Sequence, residues 1–145
     1  MELRYRDGSR NKYAGVCAVA LTLLVMLFLW PVFRVPGLYR GANLWFHLVV
    51  PLVSFVSFIL GGREKIAFRD SFVSVVPMLI YGIWYILNNL IKGIGEWPAT
   101  NDWYGFLTWG WGPGAAIFLV LILMTWGVSL LLRAAHNKIL KLSEV

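Results

Sequence analysis

The sequence predicts an all-α, polytopic integral membrane protein of about four transmembrane helices, with both termini on the cytoplasmic side. Three observations predict it. Of 145 residues 59% are apolar and 14% charged, four long stretches contain no Asp, Glu, Lys or Arg, and the basic residues cluster on one side. An ordinary soluble domain is about half apolar and a quarter charged, so a soluble core cannot absorb this composition.

The uncharged stretches are 14–33, 43–60, 71–91 and 113–132. Each is close to the ~20 residues that a helix rising ~1.5 Å per residue needs to cross a hydrocarbon core of ~30 Å. Strands of a membrane barrel are ~10 residues long and alternate apolar with polar side chains, which these stretches do not. They form one membrane domain over 1–145, with an outer loop at 92–112.

The formal net charge of +6 would raise nucleic acid as a partner in a soluble domain, but its distribution is a topology signal. Arg4, Arg6, Arg10 and Lys12 precede the first span, Arg63, Lys65 and Arg69 separate the second from the third, and Arg133, Lys138 and Lys141 follow the fourth. Only Arg34, Arg40 and Lys92 fall in the other two loops, so ten of the 13 basic residues lie on the side that the positive-inside rule makes cytoplasmic. No basic cluster belongs to a foldable soluble module, so nucleic acid is excluded as a partner, and membrane lipids take its place. The expected location is a cell membrane, crossed several times.

Along the chain, residues 1–12 read as a loose polar tail. Span one is too long for the apolar core of a signal peptide and has no small-x-small cleavage pattern after it, so it reads as an anchor. It carries Ala14, Ala18 and Thr22 at four-residue spacing, a small-residue face on which a second helix, or another copy of the chain, can pack closely. Trp30, Pro31 and Pro36 mark its exit. Span two runs inward from Trp45 and stops at Gly61 and Gly62. Span three starts at Ser71, and Pro77 inside it is expected to bend it. The outer loop holds Trp97, Trp103, Tyr104, Phe106, Trp109 and Trp111, rings suited to the headgroup region, and 103–109 is expected to form a short interfacial helix. Span four opens at Pro113, a favoured first-turn residue. The lone Cys17 excludes an internal disulfide and a multi-cysteine metal site, and no cofactor is expected.

Polar side chains at membrane depth face protein or a water-filled cavity. On span two Asn43, His47, Pro51, Ser54 and Ser57 recur every three or four residues; on span three Ser74, Pro77, Tyr81, Tyr85 and Asn88 do the same. In the predicted topology His47, Tyr85, Asn88 and Asn89 reach the outer surface together, beside Glu96, Asn101 and Asp102 of the loop. His47 is the sharpest candidate, as a catalytic base, a ligand-binding group or an interhelical hydrogen-bonding residue. Metal ligation finds little support, because His136 belongs to the opposite end. Ser54 and Ser57 lie about 10 to 15 Å from His47 along its own helix by rise alone, too far for direct proton transfer. The spans hold no carboxylate, which disfavours ion-coupled transport.

The runs Asn43-Leu-Trp-Phe-His47-Leu-Val-Val-Pro51, Pro77-Met-Leu-Ile-Tyr81-Gly-Ile-Trp-Tyr85 and Asn101-Asp-Trp-Tyr-Gly-Phe106 resemble a group of bacterial multi-helix membrane proteins of unassigned activity. That group is itself distantly similar to the eukaryotic androgen-induced protein family of membrane hydrolases. The resemblance covers the chain from span one onward. It implies a helical membrane fold, places His47 where the hydrolases carry their His, and implies cleavage of lipid esters. In those relatives the partner Thr lies on an upstream helix, so this chain would lack the N-terminal helices, and Thr22 is not in the corresponding place. The expected function is the binding of a lipid-like molecule in an outward-facing pocket, with His47 as the candidate catalytic residue and Asn43, Tyr81, Tyr85, Asn88 and Asp102 as candidate ligand-binding residues. The alternatives are a membrane lipid-ester hydrolase using His47 and a structural or assembly protein.

Overall fold

The computed structural model describes residues 2–33, 37, 39–61, 64–96 and 99–143, which form four helices and no strand. The side chains of Arg4, Arg6, Trp30 and Pro31, with Arg34, Pro36, Gly62, Arg63, Trp97 and Pro98, lie outside the described residues.

Helix α1 spans Glu2–Phe33. Helix α2 is composite: Ala42–Leu44, a π-helical stretch Trp45–Val49, and Val50–Gly61. Helix α3 enters as a 3-10 helix, Phe68–Val75, and continues as an α-helix, Val76–Lys92. Helix α4 runs over Trp111–Ser143. Three segments, Ala42–Leu60, Phe68–Lys92 and Trp111–Ser143, have the length and hydropathy of membrane spans. Their outward faces agree. On α3, Val76, Leu79, Ile80, Ile83, Leu87 and Leu90 are all exposed at helical spacing, a contiguous apolar face that suits lipid and would be exceptional in water.

Each irregular stretch has a local cause. Pro51 has no N–H, and in an α-helix its ring would press on the carbonyl of His47 four residues back. Widening the preceding turn relieves that contact: Val50 N–H bonds Trp45 O, five residues back. The 3-10 entry of α3 is held by side chains. The Asp70 carboxylate accepts from Ala67 N–H at 3.2 Å, Ser71 Oγ donates to Phe68 O at 2.7 Å, and Ser74 Oγ donates to Ser71 O at 2.5 Å. Pro77 therefore does not bend the middle of a span as expected. It is the second residue of the α-helical part, where an N–H has no intrahelical partner to lose.

Helix α1 is the centre, packing on α2, α3 and α4. Its buried arc is Tyr13, Ala14, Val16, Cys17, Ala20 and Leu21, wider than the expected Ala14, Ala18, Thr22 face because partners lie on several sides. Ala18 and Thr22 are half-buried, and Thr22 Oγ1 donates to Ala18 O at 3.2 Å. Nor is the tail a loose segment: α1 is helical from Glu2, and Arg10 pairs with Asp70 at 3.4 Å. One core cluster, at this end, joins Tyr13, Cys17, Ala20, Phe58, Ile66 and Leu132; a second, at the other end, joins Tyr85, Leu107 and Phe118.

The first cluster is closed by a latch from α4 onto the α2–α3 connection. Asn137 accepts from Ile66 N–H at 2.9 Å and donates to Ile66 O at 3.0 Å, while Arg133 Nε donates to the same carbonyl at 3.0 Å. His136 is buried, with Nε2 2.9 Å from Glu64 O and its ring 5.2 Å from that of Phe58. A carbonyl only accepts, so Nε2 carries the proton. The Tyr13 hydroxyl donates to Ser129 O and ties α1 to α4. Among hydroxyls in the interior, Ser71 receives Trp126 Nε1 at 3.1 Å, and Ser129 Oγ donates to Ser71 O at 3.3 Å.

Candidate functional site

Two arrangements bear on function: a polar cluster under the α3–α4 loop and an apolar groove between α1, α2 and α4. In the cluster, the buried Tyr85 hydroxyl donates to one oxygen of the buried Asp102 carboxylate, whose other oxygen accepts from Leu107 N–H at 2.9 Å. Asn89 Nδ2 donates to Tyr85 O at 2.9 Å and Asn101 O at 3.2 Å. The loop closes on itself through Thr100 Oγ1 to Ile94 O at 3.0 Å and Asn101 Nδ2 to Gly93 O at 2.8 Å.

Rings seal the cluster. Tyr85 lies 5.3 Å from Phe118, 5.8 Å from Phe106 and 6.1 Å from Tyr104, centroid to centroid. At such distances rings touch, which leaves no aromatic cage for a cation between them. The loop also approaches α4 very closely: a Cβ on Gly114 would come within 2.5 Å of Leu107 Cδ2. The expected short helix over 103–109 is absent. Successive turns replace it, bonding Gly105 N–H to Asp102 O at 3.0 Å, Thr108 N–H to Gly105 O at 3.2 Å and Gly110 N–H to Leu107 O at 2.8 Å. Gly105 and Gly110 have φ of 68° and 96°, outside the helical region, and so break the run.

The candidate residues therefore divide. Tyr81, Tyr85 and Asp102 come together, Tyr81 with its ring 6.4 Å from that of Tyr104. The inward amide is Asn89, not Asn88: one helical turn from Tyr85 is four residues, and Asn88 stays half-buried with no side-chain hydrogen bond among the described residues. Glu96 is exposed. Asn43 is exposed at the start of α2. The expected meeting of His47 with the Tyr85 group does not occur, because Trp45–Val49 packs on α1 and not on Val76–Lys92. Of the span-two stripe, Pro51 is buried, Ser54 half-buried and Ser57 exposed.

His47 sits inside the π-helical stretch, and its Nδ1 is buried without a hydrogen-bond partner among the described residues. About one turn further along α2 begins a groove of about 360 Å³. Its walls are Ala20, Leu23 and Leu24 of α1, Pro51, Leu52 and Phe55 of α2, and Val128, Leu131, Leu132 and Ala135 of α4. Every lining residue is apolar, and the rim residues Leu52, Phe55 and Leu131 are exposed.

Comparison with family models, with curated proteins and with solved structures finds no match to this chain.

Sequence reasoning chose Asn88 over Asn89 as the site residue, and missed the groove and the whole latch of Arg133, His136 and Asn137. A signal existed for the latch: Thr125, Ser129, Leu132 and His136 share one α4 face at helical spacing, so a His and a Ser continue an inward stripe toward the tail. Nothing in the sequence marks the groove, because its residues are ordinary apolar residues from three helices.

Proposed function

We propose that the chain crosses a cell membrane four times, with both termini cytoplasmic, and binds a lipid-like amphiphile. The apolar chain of the ligand lies in the α1–α2–α4 groove and its polar group reaches His47. The observation that carries this reading is the groove itself: a wholly apolar recess, lined from three helices, whose Pro51 wall lies one helical turn along α2 from His47, where a buried imidazole nitrogen has no hydrogen-bond partner among the described residues. A polar atom buried without a partner costs about 1–3 kcal/mol, which a hydroxyl, carbonyl or carboxyl group of a ligand would recover. His47 and the α2 wall of the groove lie within the span-like segment Ala42–Leu60, at a depth where the ligands at hand are lipid chains.

The fourth crossing is α1, whose uncharged stretch 14–33 lies within a continuous helix packed on the other three. Orientation rests on the ten basic residues at one end against three at the other. In a Cys17→Ala background, a cysteine placed at Glu96 is expected to react with an impermeant maleimide added outside intact cells, and one placed at Lys138 only after permeabilisation; the opposite pattern overturns the orientation.

Ligand binding is tested with a fatty acid bearing a diazirine in its chain. Crosslinks are expected on groove residues such as Leu24, Phe55 and Leu131, and Ala135→Phe, which fills the groove, is expected to reduce them at least about fivefold while labelling of the lipid-facing residue Ile80 is unchanged. Equal labelling of groove and lipid-facing residues in both proteins would sink the reading. Hydrolysis at His47 would further need a nucleophile within about 3 Å, and among the described residues no hydroxyl or thiol is bonded to that ring. Amphiphile binding is therefore the better-supported reading.

A further inference from the structure

We propose that the end of the bundle carrying both termini is a docking ring for the headgroups of anionic lipids. Four cations form it: Lys12 on α1, Arg69 at the entry of α3, and Lys138 and Lys141 on α4. All four are exposed, and none has an ion-pair or hydrogen-bond partner among the described residues.

The fold holds them at one level. Lys12 and Arg69 flank the Arg10–Asp70 pair at 3.4 Å, which joins α1 to α3. Lys138 follows Asn137, whose amide is bonded to Ile66 at 2.9 and 3.0 Å, and Lys141 lies one turn on. The first uncharged stretch starts directly after Lys12 and the last ends at Leu132, so the ring stands where hydrocarbon gives way to headgroups. Two other described cations at this end are engaged by the protein: Arg10 by Asp70, and Arg133 by Ile66 O and the Phe68 ring. Of the described acids at this end, Asp70 is buried against Arg10, leaving Glu64 exposed. The interlocks thus hold four exposed cations at this end, where Glu64 is the exposed acid among the described residues.

Charge complementarity alone would also admit a nucleic acid, but exposed apolar residues flank the cations. Phe68 and Phe72 are exposed beside Arg69, and Ile139 and Leu142 are exposed beside Lys138 and Lys141. Lysines whose apolar neighbours face outward are the pattern of an interface, with stems and rings in the acyl boundary and charged heads among phosphates. Helix α4, at 33 residues and so about 50 Å, is longer than a ~30 Å hydrocarbon core, and its excess carries both lysines out to the headgroups.

The test is the motionally restricted fraction of spin-labelled phosphatidylglycerol, compared with spin-labelled phosphatidylcholine, around the whole chain in phosphatidylcholine vesicles. A cation at a membrane surface contributes roughly fivefold in attraction for anionic lipid, so the chain is expected to prefer the anionic label by at least about fivefold at low salt. The preference should collapse at about 0.5 M salt, where screening acts within a few ångströms. In the R69Q/K138Q/K141Q variant it should fall close to one, and in R40Q/K92Q, which removes exposed cations at the opposite end, it should persist. Equal restriction of both labels in the unmodified chain would overturn the proposal, as would equal losses in the two variants. Because no groove residue is changed, the outcome is independent of whether an amphiphile binds near His47.

Discussion

Replacing Asp102 with alanine is expected to destabilise the protein by about 3–5 kcal/mol and to release the α3–α4 loop. The carboxylate receives the Tyr85 hydroxyl and Leu107 N–H, and hydrogen bonds to a charged group contribute about 1.5–3 kcal/mol each. Both donors are buried, and alanine leaves each without a partner. Tyr85→Phe removes one donor along with its need for an acceptor, so a smaller loss of about 1 kcal/mol is expected. Asp102→Asn should fall between, since an amide offers one acceptor atom to two donors. Unfolding by sodium dodecyl sulfate in mixed micelles measures the ranking, and limited proteolysis between Gly95 and Gly110 reports loop release. If Asp102→Ala unfolds and is cleaved like the unmodified chain, the lock does not hold the loop.

The second large effect is expected at the other end. Asn137→Ala should cost about 2 kcal/mol, because Ile66 N–H loses the acceptor it has at 2.9 Å while Ile66 itself is buried. The Ile66 carbonyl is less affected by this single change, since Arg133 Nε still reaches it at 3.0 Å. That redundancy gives a sharper expectation. Arg133→Ala combined with Asn137→Ala should cost about 1 kcal/mol more than the two losses added, because only the pair removes both donors from one buried carbonyl. A double-mutant cycle read by the same unfolding assay decides it, and strict additivity would show that the two side chains do not share the carbonyl.

The two locks explain how a chain with so much lipid-facing surface keeps one arrangement. Helices in lipid gain little from apolar contact with each other, since the tails are as apolar as the side chains. Polar contacts at the two ends, Asn137 with Ile66 and Asp102 with Tyr85, therefore determine the packing. Between them the interior is joined by hydroxyls: Ser71 with Trp126, and Ser129 with Ser71.

The sequence by itself determined the helical class and the span-like segments, because uncharged runs of spanning length are a one-dimensional property that the bilayer reads directly. It also singled out Tyr85 and Asp102, as candidate ligand-binding residues, and the structure bonds them to each other. Only the tertiary structure decided which residues are partners. His47 and Tyr85 are both near the end of their helices opposite the chain termini, yet α1 stands beside one and the loop beside the other, and helix order around a bundle leaves no trace in periodicity. The same holds for Asn89 against Asn88, a matter of a single step around the helix, and for the groove, which exists because three helices of plain apolar residues fail to fill the space between them.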